Sequence, residues 1–179
     1  MVNKKVWAYG IIIWLAGILA ACDSGGEASV TEKEDYSNCR YEKPEAIFYD
    51  GLPQISKHTF TSHGRGSEEN FVLAGSIEVT IVQYGCDYRT QEFQFTLPDR
   101  DGCSNPEDCT LEIVHLLQSL SRLGPEYHVF RAWGQAIKKM AGEIRYDQSI
   151  ELAEGFWIKI GQGRSFGNST LTLTLSEKP

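Results

Sequence analysis

The chain has 179 residues, 41% of them hydrophobic and 23% charged, with 24 acidic side chains against 17 basic ones and a formal charge of −7 at pH 7. That length suits one domain with a sizeable core. The acidic balance excludes nucleic acid, whose phosphates need a basic footprint, and excludes charge-driven binding to anionic lipid head groups; it suits a basic protein partner, or simply keeps a surface soluble.

At the N-terminus, Lys4 and Lys5 precede an apolar run from Val6 to Leu19 that ends in Leu19-Ala20-Ala21-Cys22. A basic start, about 14 apolar residues and small residues before a cut form a secretory signal. A spanning helix would need about 20 apolar residues. Ordinary signal-peptidase cleavage is disfavoured because Ile18 stands where a small side chain is required. The motif Leu19 to Cys22 resembles the lipobox of bacterial lipoprotein precursors. The resemblance implies a diacylglyceryl group on the Cys22 thiol and removal of residues 1–21, with or without acylation of the new amine. Two acyl chains anchor more than marginally, since each buried methylene contributes roughly 0.8 kcal/mol. The first partner implied is therefore the lipid bilayer, through acylated Cys22. Asp23 follows, and in enteric bacteria lipoproteins with Asp there tend to stay in the inner membrane. Where that rule applies, the resemblance implies the periplasmic face of the inner membrane.

Without the leader, which carries two lysines and no acid, 15 basic residues face 24 acidic ones, a formal charge of −9. Residues 22–38 read as the lipidated cysteine and a tether, because Asp23 to Asp35 holds almost nothing to bury. About 16 such residues span roughly 20 to 25 Å, so the domain stays close to its membrane. Residues 39–179 read as a single domain.

Four cysteines remain: Cys39, Cys86, Cys103 and Cys109. An even count in an oxidising compartment predicts two disulfides. Three connectivities exist on paper, and we favour Cys103 with Cys109, closing a short loop at a helix start, and Cys39 with Cys86, pinning the start of the domain to a strand. Zinc is the competing reading, but no pair has the Cys-x-x-Cys spacing common in structural sites, and His58, His63, His115 and His128 supply no ligand pair on one helix face.

Strand patterns open the domain. Phe71, Leu73, Ile77, Val79 and Ile81 fall on alternate positions, with Gly75 interrupting that face as a bulge. Tyr88 to Leu97 forms a second run, with Phe93, Phe95 and Leu97 on one face, and the short link at Tyr84 to Asp87 predicts an antiparallel hairpin. Weaker strands are expected at Ala46 to Tyr49 and Lys57 to Ser62. Two helices follow. Ser104 or Asn105 caps the first, Pro106 suits its first turn, and Leu111, Val114, Leu117 and Leu120 recur at helical spacing up to Gly124-Pro125. Phe130, Trp133, Ile137 and Met140 form the stripe of the second, which stops at Gly142. Phe156, Ile158 and Ile160, then Leu171, Leu173 and Leu175, return to strand period. The expected fold is α+β, with a mostly antiparallel sheet, two helices packed on one face and two disulfides.

Several patterns mimic chemistry. Gly163 to Gly167 fits G-x-S-x-G, but a strand follows where the nucleophile elbow needs a helix, and no His follows Ser165. Asp99-Arg100-Asp101-Gly102, with Glu107 and Asp108, begins like a calcium loop but has Cys103 where a ligand is needed. Glu68-Glu69 and Glu32-Glu34-Asp35 read as solvated loops. Neither a metal nor a cofactor is expected. The stretch Gly161 to Ser169 presents Arg164 and Phe166 in a polar hairpin tip, and Arg with aromatics dominates interface hot spots.

The chain thus reads as a non-enzymatic, membrane-anchored lipoprotein facing the periplasm and binding another protein, in its concrete form an inhibitor or immunity protein for an envelope hydrolase. The alternative is a module holding a small ligand or lipid between helices and sheet. A third reading, an envelope hydrolase, requires His58, His63, His115 or His128 to meet a carboxylate in a cleft.

Overall fold

A computed structural model of the chain describes residues 36–98, 102–165 and 167–179. Seven antiparallel strands lie in one sheet: β1 (Ile55–His63), β2 (Gly66–Leu73), β3 (Ile77–Gly85), β4 (Arg89–Leu97), β5 (Ile150–Ala153), β6 (Phe156–Ser165) and β7 (Asn168–Ser176). Their order is β1-β2-β3-β4-β7-β6-β5. Two meanders are therefore joined at the centre, where β4 pairs with β7. Between the meanders run helix α1 (Pro106–Leu120), a 3-10 turn (Pro125–Tyr127) and helix α2 (His128–Lys139). Among the described residues, no helix is long and apolar enough to cross a membrane.

Period-two patterning decides which face is covered. Phe71, Leu73, Val79, Ile81, Phe93, Phe95, Ile158, Ile160, Leu171, Leu173 and Leu175 are all buried on one face. The opposite face carries Thr80, Glu92, Gln94, Thr170, Thr172 and Thr174, which are half-buried by their neighbours in the sheet. Both helices pack on the apolar face, as expected from the sequence. Asn105 caps α1 by accepting the Asp108 backbone N–H at 2.9 Å, and Pro106 occupies its first turn. Leu111 is only half-buried, because α1 turns Ile113, Val114, Leu116 and Leu117 inward instead.

Both expected disulfides form. Cys39–Cys86 joins Cα atoms 4.5 Å apart, and Cys103–Cys109 joins Cα atoms 5.2 Å apart.

Three local expectations need correction. Phe71 to Ile81 is not one strand with a bulge: Ala74 and Gly75 both take positive φ, 51° and 81°, and turn the chain into a β2–β3 hairpin. Residues 46–49 form no strand. They belong to a strap that crosses the β2–β3 part of the apolar face, with Phe48 and Leu52 buried beneath it. Glu68 and Glu69 do not lie in a solvated loop but inside β2, Glu68 half-buried and Glu69 with no exposed surface. The short strand β5 was not anticipated, since Ile150–Ala153 is brief and its Glu151 faces solvent.

Candidate functional site

Cys22, Asp99, Arg100, Asp101 and Phe166 lie outside the described residues. Arg164 is exposed near the end of β6, opposite Ser169 of β7. The G-x-S-x-G match falls within this β6–β7 hairpin, where strand leads to strand. Arg164 stands at the end of the sheet marked by Leu97 of β4, whose partner is also Ser169. The other end, marked by Arg89 and Tyr84, gathers a different set of side chains.

That second set is the better-built surface. The Cys39–Cys86 disulfide fastens the start of the domain to the β3–β4 turn, and the Tyr41 backbone N–H donates to the Cys86 carbonyl at 3.0 Å. Tyr41 then receives two guanidinium groups over its ring, Arg89 at 4.4 Å from the centroid and Arg40 at 5.1 Å. Its hydroxyl donates to the Glu177 carboxylate, which also accepts the Arg89 backbone N–H at 3.0 Å. The hydrogen bond from Tyr41, and then that from Arg89, hold the Glu177 carboxyl below its ordinary value. The same bond to Glu177 raises the Tyr41 hydroxyl, with burial adding to it. The Lys178 ammonium sits 4.1 Å from the Tyr88 ring centroid, and the Tyr36 hydroxyl donates to the Gly64 carbonyl at 3.1 Å.

Tyr84 is 55% exposed and Tyr88 41% exposed beside this framework. Two hollows adjoin them. One, of about 210 Å³, lies under residues 41–45 and is lined by Tyr41, Lys43, Glu45, Gln83, Tyr84 and Arg89. Its roof is held by Gln83, whose side-chain amide donates to the Glu45 carbonyl at 2.8 Å. The other, of about 330 Å³, is lined by His63, Arg65, Tyr84 and Tyr88.

Of the four histidines, His58 meets carboxylates within hydrogen-bond reach on both sides. Its Nδ1 lies 2.8 Å from Asp50 Oδ1 and its Nε2 lies 2.8 Å from Glu69 Oε1. Glu69 additionally accepts the backbone N–H of Ile47 and of Phe48, each at 2.8 Å. Burial pulls the His58 pKa down, but the hydrogen bonds to Glu69 and Asp50 outweigh it and leave the imidazole raised. Both ring nitrogens are thus engaged by carboxylates of the protein itself. His115 is largely exposed, 4.0 Å from Glu112, and His128 is exposed at the start of α2. Among the described residues, no group of three or more His, Cys, Asp or Glu is arranged to hold a metal ion.

The space between helices and sheet, where a small ligand would sit, is filled by aromatic rings. Phe48 packs on Phe71 at 4.9 Å, on Tyr127 at 4.8 Å and on Phe130 at 5.7 Å between centroids. Trp133 bridges Phe130, Phe93 and Phe156. Trp133 is therefore a core residue. Trp157 lies on the polar face of the sheet, since its neighbours Phe156 and Ile158 point inward.

No match was found among family models, curated proteins or solved structures.

The tyrosine–arginine surface escapes a linear reading because it draws on residues 36–41, 84–89 and 177–178. Glu69 had a signal: it shares the parity of Phe71 and Leu73.

Proposed function

We propose that the chain is a membrane-anchored lipoprotein, tethered through acylated Cys22, whose folded part binds another protein at the disulfide-braced tyrosine–arginine end of the sheet. One observation carries this reading. Tyr84 and Tyr88 stand exposed beside a Tyr41 that is fixed by a disulfide, two stacked guanidiniums and a carboxylate. Tyr and Arg supply large contact area with directional bonding, and prior fixation lowers the entropy lost on binding. The aromatic filling between helices and sheet counts against a ligand held there. Inhibition of, or immunity against, an envelope hydrolase is the concrete form such a short-tethered binder would take.

The test is affinity capture from envelope extract with the full-length lipoprotein in detergent, comparing wild type, Tyr84→Ala/Tyr88→Ala and Arg164→Ala. A stoichiometric partner lost only in the tyrosine variant supports this surface. Loss only in Arg164→Ala transfers the contact to the β6–β7 tip. Recovery of no partner at any salt concentration removes the protein-binding reading. Labelling with a radioactive fatty acid, abolished by Cys22→Ser, tests the anchor.

A further inference from the structure

We infer that residues 41–50 form a proton-controlled strap: it is held at both carboxylates when His58 carries two ring protons, and it comes loose at Asp50 when one proton is lost. The argument rests on donor counting. A neutral imidazole has one N–H and one lone pair, whereas only the imidazolium can donate from both nitrogens. Asp50 and Glu69 both present oxygens at 2.8 Å, so two donors are satisfied and one donor is not. Loss of a proton sets a nitrogen lone pair against a carboxylate oxygen, and one of the two contacts must open.

Burial decides which one. The Asp50 side chain is 87% exposed and can turn to water, whereas that of Glu69 is fully enclosed and tied to the backbone N–H groups of Ile47 and Phe48. The remaining proton therefore stays on Nε2, facing Glu69. Asp50 is released.

The groups facing His58 come from each neighbouring element. Asp50 stands on the strap and Glu69 on β2, while the Phe71 ring lies 6.3 Å away. Beyond Glu69 stands Tyr127 of the 3-10 turn, whose hydroxyl is pushed up to about 12, by burial first and then by Glu126, and so does not titrate in the range of a histidine. Lys57 adjoins His58 on β1 at a positive φ of 54°, in a bulge that breaks the register between Ser56 and Thr59. Bulges re-aim side chains. Here the bulge contains His58 itself, the residue that bridges strap and sheet.

The strap is continuous with the surface described above, since Tyr41 and Glu45 belong to it. The switch itself stands whether or not that surface binds a protein.

Imidazole nitrogen-15 and carboxyl carbon-13 NMR of the full-length protein between about pH 5.5 and about pH 8.5, either side of the ordinary histidine range, tests the inference. At the lower pH both His58 nitrogens are expected to carry a proton; at the higher pH the Nε2–H tautomer is expected to predominate, and the Asp50 carboxyl carbon is expected to shift with the His58 midpoint. Asp50→Ala, a change at an exposed side chain, should move the His58 midpoint to lower pH by removing a carboxylate from the imidazolium and leave the Nε2–H tautomer in place. A predominant Nδ1–H tautomer, an Asp50 signal that does not follow His58, or an unmoved His58 midpoint in Asp50→Ala would each overturn the switch.

Discussion

The buried carboxylate of Glu69 accepts the backbone N–H of Phe48 at 2.8 Å, so a charged group on the apolar face of a sheet fixes the residue whose ring fills the adjoining core. Removing it would leave two strap N–H groups and one side of His58 without their acceptor. Glu69→Ala is therefore expected to cost about 3–5 kcal/mol, the range for breaking a buried charge cluster from one side. Denaturant unfolding monitored by Trp fluorescence would show it. A loss below about 1 kcal/mol would mean that water replaces the carboxylate at little cost.

The titration of His58 gives the same site a pH signature. Its folded pKa is raised, so its contribution to stability is complete below the unfolded value near 6.5 and is lost as pH rises through the folded one. The denaturation midpoint of the wild type should decline as pH rises from the unfolded value near 6.5 through the folded one, and the decline should be smaller in His58→Gln. Parallel profiles for the two proteins would contradict this assignment.

The two disulfides should contribute unequally. Cys39–Cys86 spans 47 residues of sequence and Cys103–Cys109 only 6. Loop-closure entropy then assigns about 4 kcal/mol to the first and about 2 kcal/mol to the second. Paired Cys→Ala variants compared by chemical denaturation should rank in that order. The reverse ranking would show that the short loop carries native-state interactions beyond entropy.

Glu177 offers a check on the tyrosine–arginine end. Its carboxyl is held low by the Tyr41 hydroxyl and then by the Arg89 N–H, so the attachment of the last residues is complete above the ordinary value of 4.5 and weakens as pH falls through the folded one. Tyr41→Phe should move the Glu177 midpoint upward toward 4.5 in a carbon-13 carboxyl titration. An unchanged midpoint would mean that the arginines alone set it.

What the sequence made legible was local. The Asn105-Pro106 helix start, the β3–β4 hairpin and the alternation of Phe93, Phe95 and Leu97 depend on neighbours a few residues apart, and each is present as expected. The Ala74-Gly75 turn was misread because apolar parity continues across it, from Leu73 to Ile77. Glu69 was misread because charge outweighed parity, although its acceptors' partners lie more than 20 residues away on the strap. The strap was misread because residues 46–49 are a short apolar run, whereas the backbone N–H groups of Ile47 and Phe48 bond to a side chain rather than a ladder. The tyrosine–arginine surface is assembled by topology, which brings Glu177 beside Arg89.

The position of β7 bears on how the protein can be made. It is the last of the seven described strands in sequence, yet it lies between β4 and β6 in the middle of the sheet. Until Leu171, Leu173 and Leu175 arrive, the first meander ends in the bare edge of β4, with Phe93 and Phe95 lacking their β7 partners Leu173 and Leu171. A chain emerging N-terminus first, from a ribosome or through a translocation pore, therefore has no finished sheet until Ser176 is out. Truncation before Asn168 would remove the keystone and not a fringe, and an unfinished chain would present an open strand edge to chaperones and proteases.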